Sequence, residues 1–549
     1  MQVTLTSSLL SAACLLAVTP AQAQTAPNPP APPPATVAAA APDAPEPPRL
    51  HSLQVQGDNP LSADETSQVL SPFLRQPASL DTVAAAAAAL EAALQAHGYS
   101  LYKVGLPPQT LDGALRLEVL RFNLAQVNVR GNQYSDRDNL LASLPELVPG
   151  QSPNLLRLGL QTRLANTSPY KQLRVGLRES ATPDSVDASI EVQDHSPWLF
   201  GADLTNTGSA ATGQDRITFL ASHSNLFNRD HGLSAAWTTS AQARSDVRQW
   251  GLSYRVPLYA LSGALSASVS RSNVVGRFGA FSSTGAGNTT QFGYTQLLPT
   301  AGDWSGEWSL NLNDRLFNGA QLQDASGNPI AGTTTPDTRS RSLTLGHAAT
   351  LEGNGATLAY NLNWSRALNG GSGNTLAAYT NGGTNPAITT LHWQALRGGA
   401  TLQLPLPGQW LLTLRGDGQA SPDALIAGEQ FGLGGATSVR GVPERILQGD
   451  SGLQTTVELR GPELRPGLNL LGVIDTGWLS NHHPNATTRL GSDHLISAGL
   501  GLRWVTADGV SLSLDYGRVL VGSLLPAASA PTAPHPGDQR LHLNVSLRF

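Results

Sequence analysis

The chain has 549 residues and a net charge of -5, and only 13% of its residues are Asp, Glu, Lys or Arg. Soluble domains average about 25% charged residues, yet beyond the N-terminus no apolar run reaches the ~18 residues that a membrane-spanning helix needs. The acidic balance, with a pI near 6.2, gives no footing for nucleic-acid binding. What remains is an uncharged but polar soluble protein, or a transmembrane β-barrel, where apolar and polar residues alternate and mean hydropathy stays near zero; here it is -0.14.

Residues 1–23 read as an export signal. Leu9 to Val18 form a short apolar core, followed by Pro20 and the small-residue pattern Ala21-Gln22-Ala23, with cleavage expected before Gln24. No Lys or Arg stands near its start, a departure from the usual signal. Cys14, the only cysteine, sits inside the apolar run, which continues through Leu15 and Leu16 and argues against a lipid-anchored reading. The exported chain then holds no cysteine, which excludes disulfides and thiolate metal sites. Residues 24–48 are a Pro/Ala tract whose prolines remove backbone donors and favour extended structure, so they read as a linker.

Two similar units follow, 49–121 and 122–195, offset by about 72 residues. In the first, Leu53-Gln54-Val55 predicts a strand that stops at Gly57. Ser62-Ala63-Asp64-Glu65 is a capping box for a first helix. A second helix starts near Ser79 and ends at Gly98. Strands are expected at Tyr99–Val104 and Leu115–Val119. The second unit repeats this order with a strand at Ala125–Val129, a helix from Ser135, a helix over Asn154–Ala165, and strands near Leu173–Leu177 and Val186–Val192. Strand, two helices and two strands imply a small mixed sheet with helices on one face.

From residue 196 to 549 the helical periodicity stops. Short alternating runs, such as Leu265-Ser266-Ala267-Ser268-Val269-Ser270, are separated by turns rich in Gly, Asn and Asp. The last run is the clearest: Leu541, Leu543, Val545, Leu547 and Phe549 alternate with His542, Asn544, Ser546 and Arg548. One face suits lipid and the other a wet lumen, and the terminal Phe549 suits the bilayer interface. Soluble β-sandwiches and β-helices alternate similarly, so periodicity alone leaves these open. As a barrel, about 22 residues per strand with its loop gives roughly 16 strands. Gln321–Arg339, Asn369–Thr389 and Leu524–Asp538 would be outward loops.

One segment narrows the choice. Residues 432–441 read Gly-Leu-Gly-Gly-Ala-Thr-Ser-Val439-Arg440-Gly441, followed later by Glu458-Leu459-Arg460-Gly461-Pro462 and Val473-Ile474-Asp475-Thr476-Gly477. Together with Gly98-Tyr99, Leu106-Pro107-Pro108-Gln109, Asn206-Thr207-Gly208 and Asn225-Leu226, they resemble the two-partner secretion transporters of the outer membrane (the TpsB family, of the haemolysin and haemagglutinin secretion type). The resemblance covers nearly the whole exported chain. It implies a 16-stranded transmembrane antiparallel β-barrel preceded by two small α+β POTRA domains, in the outer membrane of a Gram-negative bacterium with the POTRA domains in the periplasm.

By the same resemblance, a loop at about 429–456 folds back into the barrel, and Arg440 meets Asp475 on the inner wall. The physics suits an Arg, whose planar fork binds a carboxylate bidentately and keeps its charge. The motif residues are then Val439, Arg440 and Gly441 in the loop, Asp475 and Gly477 on the strand, and Phe549 as a C-terminal barrel signal. The implied partners are a large secreted protein of the β-helical adhesin or haemolysin kind, outer-membrane lipid and lipopolysaccharide, and the barrel assembly machinery. An outer-membrane assembly factor is the nearest alternative and a passive porin a more distant one. Many family members place an N-terminal helix in the pore. Here only Ala35–Ala41 is free of proline, too short for a helix that is stable alone.

Other chemistry finds little support. The Gly-rich run lacks a Lys at P-loop spacing, and no Gly-x-Ser-x-Gly elbow or His-Glu-x-x-His occurs, so no enzyme activity and no cofactor is expected. His482 and His483, with His494 nearby, read as a solvated loop rather than a metal site.

Overall fold

The computed structural model describes residues 48–549 except 111–112, 210–211, 320–333, 382–386, 486–488 and 529. The expected export signal, the Pro/Ala linker and the short Ala35–Ala41 run lie outside the described residues.

The first N-terminal domain contains β1 (Ser52–Gly57), α1 (Ala63–Leu70), α2 (Leu80–Ala96), β2 (Tyr102–Gly105) and β3 (Ala114–Arg121). The Ser62 amide donates to Glu65 Oε2 at 3.0 Å and the Glu65 amide donates to Ser62 Oγ at 3.2 Å, which satisfies free donors at the start of α1. Ser79 caps α2, and Gly98 beyond its end takes φ +89°, a conformation that favours glycine. β2 begins at Tyr102 rather than Tyr99, because the Tyr99 amide still closes the helix end on the Leu94 carbonyl at 2.9 Å. β3, last in sequence, lies in the centre, parallel to β1 and antiparallel to β2.

The second domain repeats this plan with β4 (Asn123–Arg130), α3 (Arg137–Ala142), α4 (Leu155–Ala165), β5 (Lys171–Glu179) and β6 (Ser185–Asp194), again with the last strand central. Asp136 caps α3, one residue beyond the Ser135 expected from sequence. Each domain buries a leucine-rich core between helices and sheet, around Leu90, Leu94 and Leu117 in the first and Leu140, Leu173 and Ile190 in the second. The Leu155 amide donates to the Gly98 carbonyl at 2.8 Å, joining the start of α4 to the end of α2.

The remaining chain is a closed barrel. Its first strands are β7 (Trp198–Thr205), β8 (Arg216–Leu226), β9 (His231–Thr239), β10 (Gln249–Leu258), β11 (Gly263–Ser272) and β12 (Gly287–Leu297). Next come β13 (Trp304–Phe317), β14 (Thr338–Gly353), β15 (Ala356–Leu368), β16 (Gln394–Leu406) and β17 (Trp410–Ala420). The last are β18 (Ser451–Arg465), β19 (Leu468–Ser480), β20 (Ser492–Val505), β21 (Val510–Val521) and β22 (Gln539–Arg548). All neighbours run antiparallel, and β22 closes on β7, so the sheet has no free edge.

That seam has two devices. β7 stops at Thr205, and the side chain of Asn206 continues the pairing: its Oδ1 accepts from the Leu543 amide at 2.8 Å and its Nδ2 donates to the Leu541 carbonyl at 2.6 Å. At the other end, Phe549 and Phe200 exchange backbone hydrogen bonds of 3.0 and 2.8 Å, and their rings stack with centroids 6.3 Å apart.

The period of two sets the two faces. In β22, Leu541 and Leu547 are exposed on the outside, whereas His542 is buried on the inside. Trp237, Trp308, Leu310 and Leu345 extend the outer apolar band around the wall. Because β7 follows the second domain directly, short turns such as 354–355 and 466–467 lie at the near end, and the long connections lie at the far end.

Two far-end loops differ from simple turns. The stretch after β15 contains a short helix, Leu376–Asn381, and its Tyr379, Ile388 and Trp393 pack on Ala424, Leu425 and Ile426 from the loop after β17. The loop after β11 forms a small hairpin, Gly276–Phe278 with Phe281–Ser283, that lies against the inner wall. A Cβ at Gly251 would stand 2.4 Å from the Phe281 ring, and one at Gly279 would stand 2.6 Å from Leu220 Cδ2.

Candidate functional site: a loop clamped inside the lumen

The connection between β17 and β18, residues 421–450, turns back into the barrel. It is held in shape by a short pairing of Phe431–Leu433 with Leu447–Gly449. Its tip turns at Gly434, Gly435 and Gly441, with φ of +107°, +109° and +95°, values that any side chain would strain. Inside the tip, the Gly435 amide donates to the Val439 carbonyl at 3.2 Å and the Ala436 amide to Glu444 Oε1 at 3.0 Å.

The structure brings Arg440 and Asp475 together. Arg440 Nη1 lies 2.9 Å from Asp475 Oδ1 and 3.2 Å from Oδ2, and the Arg440 backbone amide donates to Oδ2 at 3.1 Å. Thr456 Oγ1 donates to Asp475 Oδ1 at 2.8 Å. Asp475 is fully buried, so these donors stand in for lost water. Two further carboxylates face the same guanidinium, Glu458 at 3.5 Å and Asp515 at 3.8 Å. Arg503 completes the cluster at 2.9 Å from Asp515. Two guanidiniums thus share three carboxylates.

Glycines let the tip approach the wall. A Cβ at Gly477 would stand 2.7 Å from Leu433 Cδ1 and 3.0 Å from Val439 Cγ2. A Cβ at Gly517 would stand 2.5 Å from the Gly441 nitrogen, and the Gly441 amide donates to His542 Nε2 at 3.2 Å. Two Asp-x-Gly stretches of the wall therefore receive the tip, Asp475-Thr476-Gly477 on β19 and Asp515-Tyr516-Gly517 on β21. In both, the Asp faces Arg440 and the glycine makes room for the tip. Sequence reasoning missed the second of these, and the pattern alone does not single it out, because Asp-x-Gly also occurs at Asp230-His231-Gly232 and Asp450-Ser451-Gly452.

The base of the loop is pinned separately. Buried Glu429 receives Arg315 Nη1 at 3.1 Å and Arg397 Nη2 at 3.0 Å. Asp450, also buried, accepts from the Leu425 amide, Gln430 Nε2 and Arg489 Nη2 at 2.9, 3.0 and 2.9 Å. The His482 amide joins the same carboxylate at 2.9 Å, so His482 is half-buried against the loop base while His483 is exposed. Among the described residues no group of His, Cys, Asp and Glu is arranged to hold a metal ion.

A third polar knot fixes the second domain to the near rim. Lys171 Nζ, fully buried, lies 2.6 Å from Asp230 Oδ2 in the turn after β8. The same oxygen accepts from Ser143 Oγ at 2.9 Å and from Tyr259 Oη at 2.5 Å, and Tyr170 Oη donates to Oδ1 at 2.7 Å. Burial opposes the charge on Asp230, but the Lys171 ammonium and these hydroxyl donors outweigh it and hold the carboxyl below the usual range. Beside this knot, Arg163 from α4 donates to the Leu298 and Gly306 carbonyls, both at 3.0 Å.

Comparison with known proteins places this architecture. Residues 49–121 match the ShlB-type POTRA domain, and residues 185–504 match the haemolysin secretion/activation protein family ShlB/FhaC/HecB. The outer membrane transporter CdiB of Escherichia coli is 25% identical over 504 residues, which cover 86% of this chain and 78% of that protein. The structure of CdiB from Escherichia coli superposes with a TM-score of 0.68 at 19% identity, covering 94% of this chain and 93% of that one. CdiB from Acinetobacter baumannii gives 0.67 at 17% identity, with coverage of 91% and 90%. The structural likeness speaks for the fold, and the family match spans more than half of the sequence: the chain belongs to the ShlB/FhaC/HecB family of haemolysin secretion/activation proteins.

Proposed function

We propose that this outer-membrane transporter takes up a large, unfolded partner protein in the periplasm and passes it outward through the barrel lumen. The observation that carries this reading is the way the lumen is closed. The tip of the inward loop is held to the wall by ions and hydrogen bonds around Arg440 and Asp475, beside a small apolar contact of Leu433, Val439 and Leu447 on Leu479 and Leu495. The polar part of this closure can be exchanged for contacts with a passing polar chain. Val439 and Gly441 shape the tip, Asp475 and Gly477 receive it, and Arg440 is the positioning residue that locks it.

Capture would begin on the POTRA sheets. β2 and β5 are edge strands, and their free backbone groups suit addition of an extended segment of the partner. The periplasm has no ATP, so folding of the partner outside the cell is the driving force. The partner is of the β-helical adhesin or haemolysin kind. Phe549 at the seam serves as the terminal signal for the barrel assembly machinery, and lipopolysaccharide surrounds the outer half of the wall.

Mass spectrometry of culture medium and outer membranes, from strains with and without the gene, tests the reading. Loss of one large protein from the medium with unchanged membranes is the expected result. Broad depletion of other barrels would identify an assembly factor instead, and no change in either fraction would leave a passive porin.

A further inference from the structure

One sector of the outer wall carries cations that the rest of the described chain does not use. Across four neighbouring strands, Phe219 lies opposite Trp237, Trp237 opposite Trp250, and Trp250 opposite Arg271. All four lie close to the far ends of β8–β11 and are exposed on the lipid side. The Phe219 and Trp237 rings stack with centroids 5.9 Å apart. Such a row of aromatics marks the height where hydrocarbon gives way to headgroups. At the edge of this row, the loop 240–248 adds Arg244 and Arg248, which line one cleft with Arg271, Trp237 and Trp250.

The charge in this cleft is unbalanced. No carboxylate lines it. Asp246 shares the loop but lies outside the cleft lining, and its Oδ1 accepts from Ser245 Oγ at 2.8 Å. Arg248 is tied down only by its backbone amide, which donates to Asn273 Oδ1 at 2.8 Å. Among the described residues, none of the three guanidiniums has a hydrogen-bond or ion-pair partner. The lumenal arginines Arg315, Arg397, Arg440 and Arg503 all meet carboxylates. Three like charges that repel one another, gathered beside an aromatic floor at headgroup height, are arranged for an external anion.

We propose that this cleft binds the phosphate of a phosphorylated glycolipid in the outer leaflet, with the acyl chains running down over Trp237 and Trp250. A guanidinium fork matches two phosphate oxygens, and the Arg stems can lie along the apolar wall while their heads reach the phosphate. The lipid would fix β8–β11, the sector whose inner face carries the Gly276–Ser283 hairpin. The site depends on the outer-membrane location and not on export of any partner, so the two can fail separately.

The test uses the full-length purified protein and native mass spectrometry with three probes: lipid A carrying both phosphates, the same lipid without phosphates, and inorganic phosphate. Wild type should retain lipid A, and the variant R244Q/R248Q/R271Q should retain at least about tenfold less, a loss expected when charge-assisted forks are removed. R244K/R248K/R271K keeps the charge but loses the forks, and its retention should fall between those of wild type and the Gln variant. A compact band on unheated gels verifies that each barrel is folded. Equal retention by the Gln variant, or of phosphate-free lipid by wild type, would overturn the proposal. Inorganic phosphate binding as tightly as the lipid would reassign the cleft to a soluble anion and overturn it too.

Discussion

Gly477 lies directly beneath Val439: a Cβ on the strand residue would stand 3.0 Å from Cγ2 of the loop residue, and 2.7 Å from Leu433. The inward loop is therefore seated on a wall position that has no side chain, two residues from the Asp475 that binds Arg440. Alanine at 477 requires only that the ends of two side chains shift. A larger group must lift the tip, at an overpacking cost of about 1–3 kcal/mol. Gly477→Ala should leave secretion near wild type, and Gly477→Leu should reduce it sharply while the barrel still runs as a compact band on unheated gels. Equal secretion by both variants would show that the seat does not matter.

The Arg440 clamp predicts a different ranking. Arg440→Ala leaves Asp475 buried without its counter-ion, a change that costs about 3–5 kcal/mol at buried pairs, or roughly a hundredfold or more in the docked population of the loop. Lys at 440 keeps the charge but loses the fork that also faces Glu458 and Asp515. Secretion should fall in the order wild type, Arg440→Lys, Arg440→Ala, and the pair R440A/D475N should recover part of the loss by removing the stranded charge. No recovery in the double variant would mean that Arg440 acts on the passing chain and not through Asp475.

Sequence and structure divide these features along a physical line. The alternation of Leu541, Leu543, Val545 and Leu547 is a local pattern, so the wall can be read from it, as the Ser62–Glu65 box marks a helix start. Val439-Arg440-Gly441 and Asp475-x-Gly477 can be read as motifs, but their meeting depends on a loop turning back over residues distant in sequence. Lys171 and Asp230 leave no trace at all: each stands in an unremarkable segment, and only docking of the second domain makes them a pair. The inward hairpin at 276–283 is equally silent, because its cue is the space above Gly251 rather than any residue of its own.

That hairpin gives a prediction about the closed state. Phe281 covers Gly251, and Thr284 Oγ1 donates to the Gly428 carbonyl at 2.9 Å, tying the hairpin to the base of the clamped loop. The lumen is thus narrowed by two loops, with a cavity of about 690 Å³ bordering both. Replacing 276–283 with a short Gly-Ser turn should raise single-channel conductance in planar bilayers, with the Arg440 clamp intact. Unchanged conductance would assign the closure to loop 421–450 alone.

The Lys171–Asp230 pair predicts how firmly the POTRA domains are aimed at the pore. Lys171→Met leaves the Asp230 carboxylate buried with only the uncharged donors of Asn139, Ser143, Tyr170 and Tyr259, which should cost about 3–5 kcal/mol of docking. The compensating change must respect the backbone: Asp230 has φ +58°, a left-handed conformation that Asn tolerates and a branched apolar residue does not. Lys171→Met alone should therefore speed amide exchange in the 227–230 turn and in α3, whereas K171M/D230N should restore much of the protection. A domain that only needs to be tethered would secrete normally in both variants. One that must hold its edge strands over the lumen should lose secretion in the single variant and regain it in the double, in step with the exchange data.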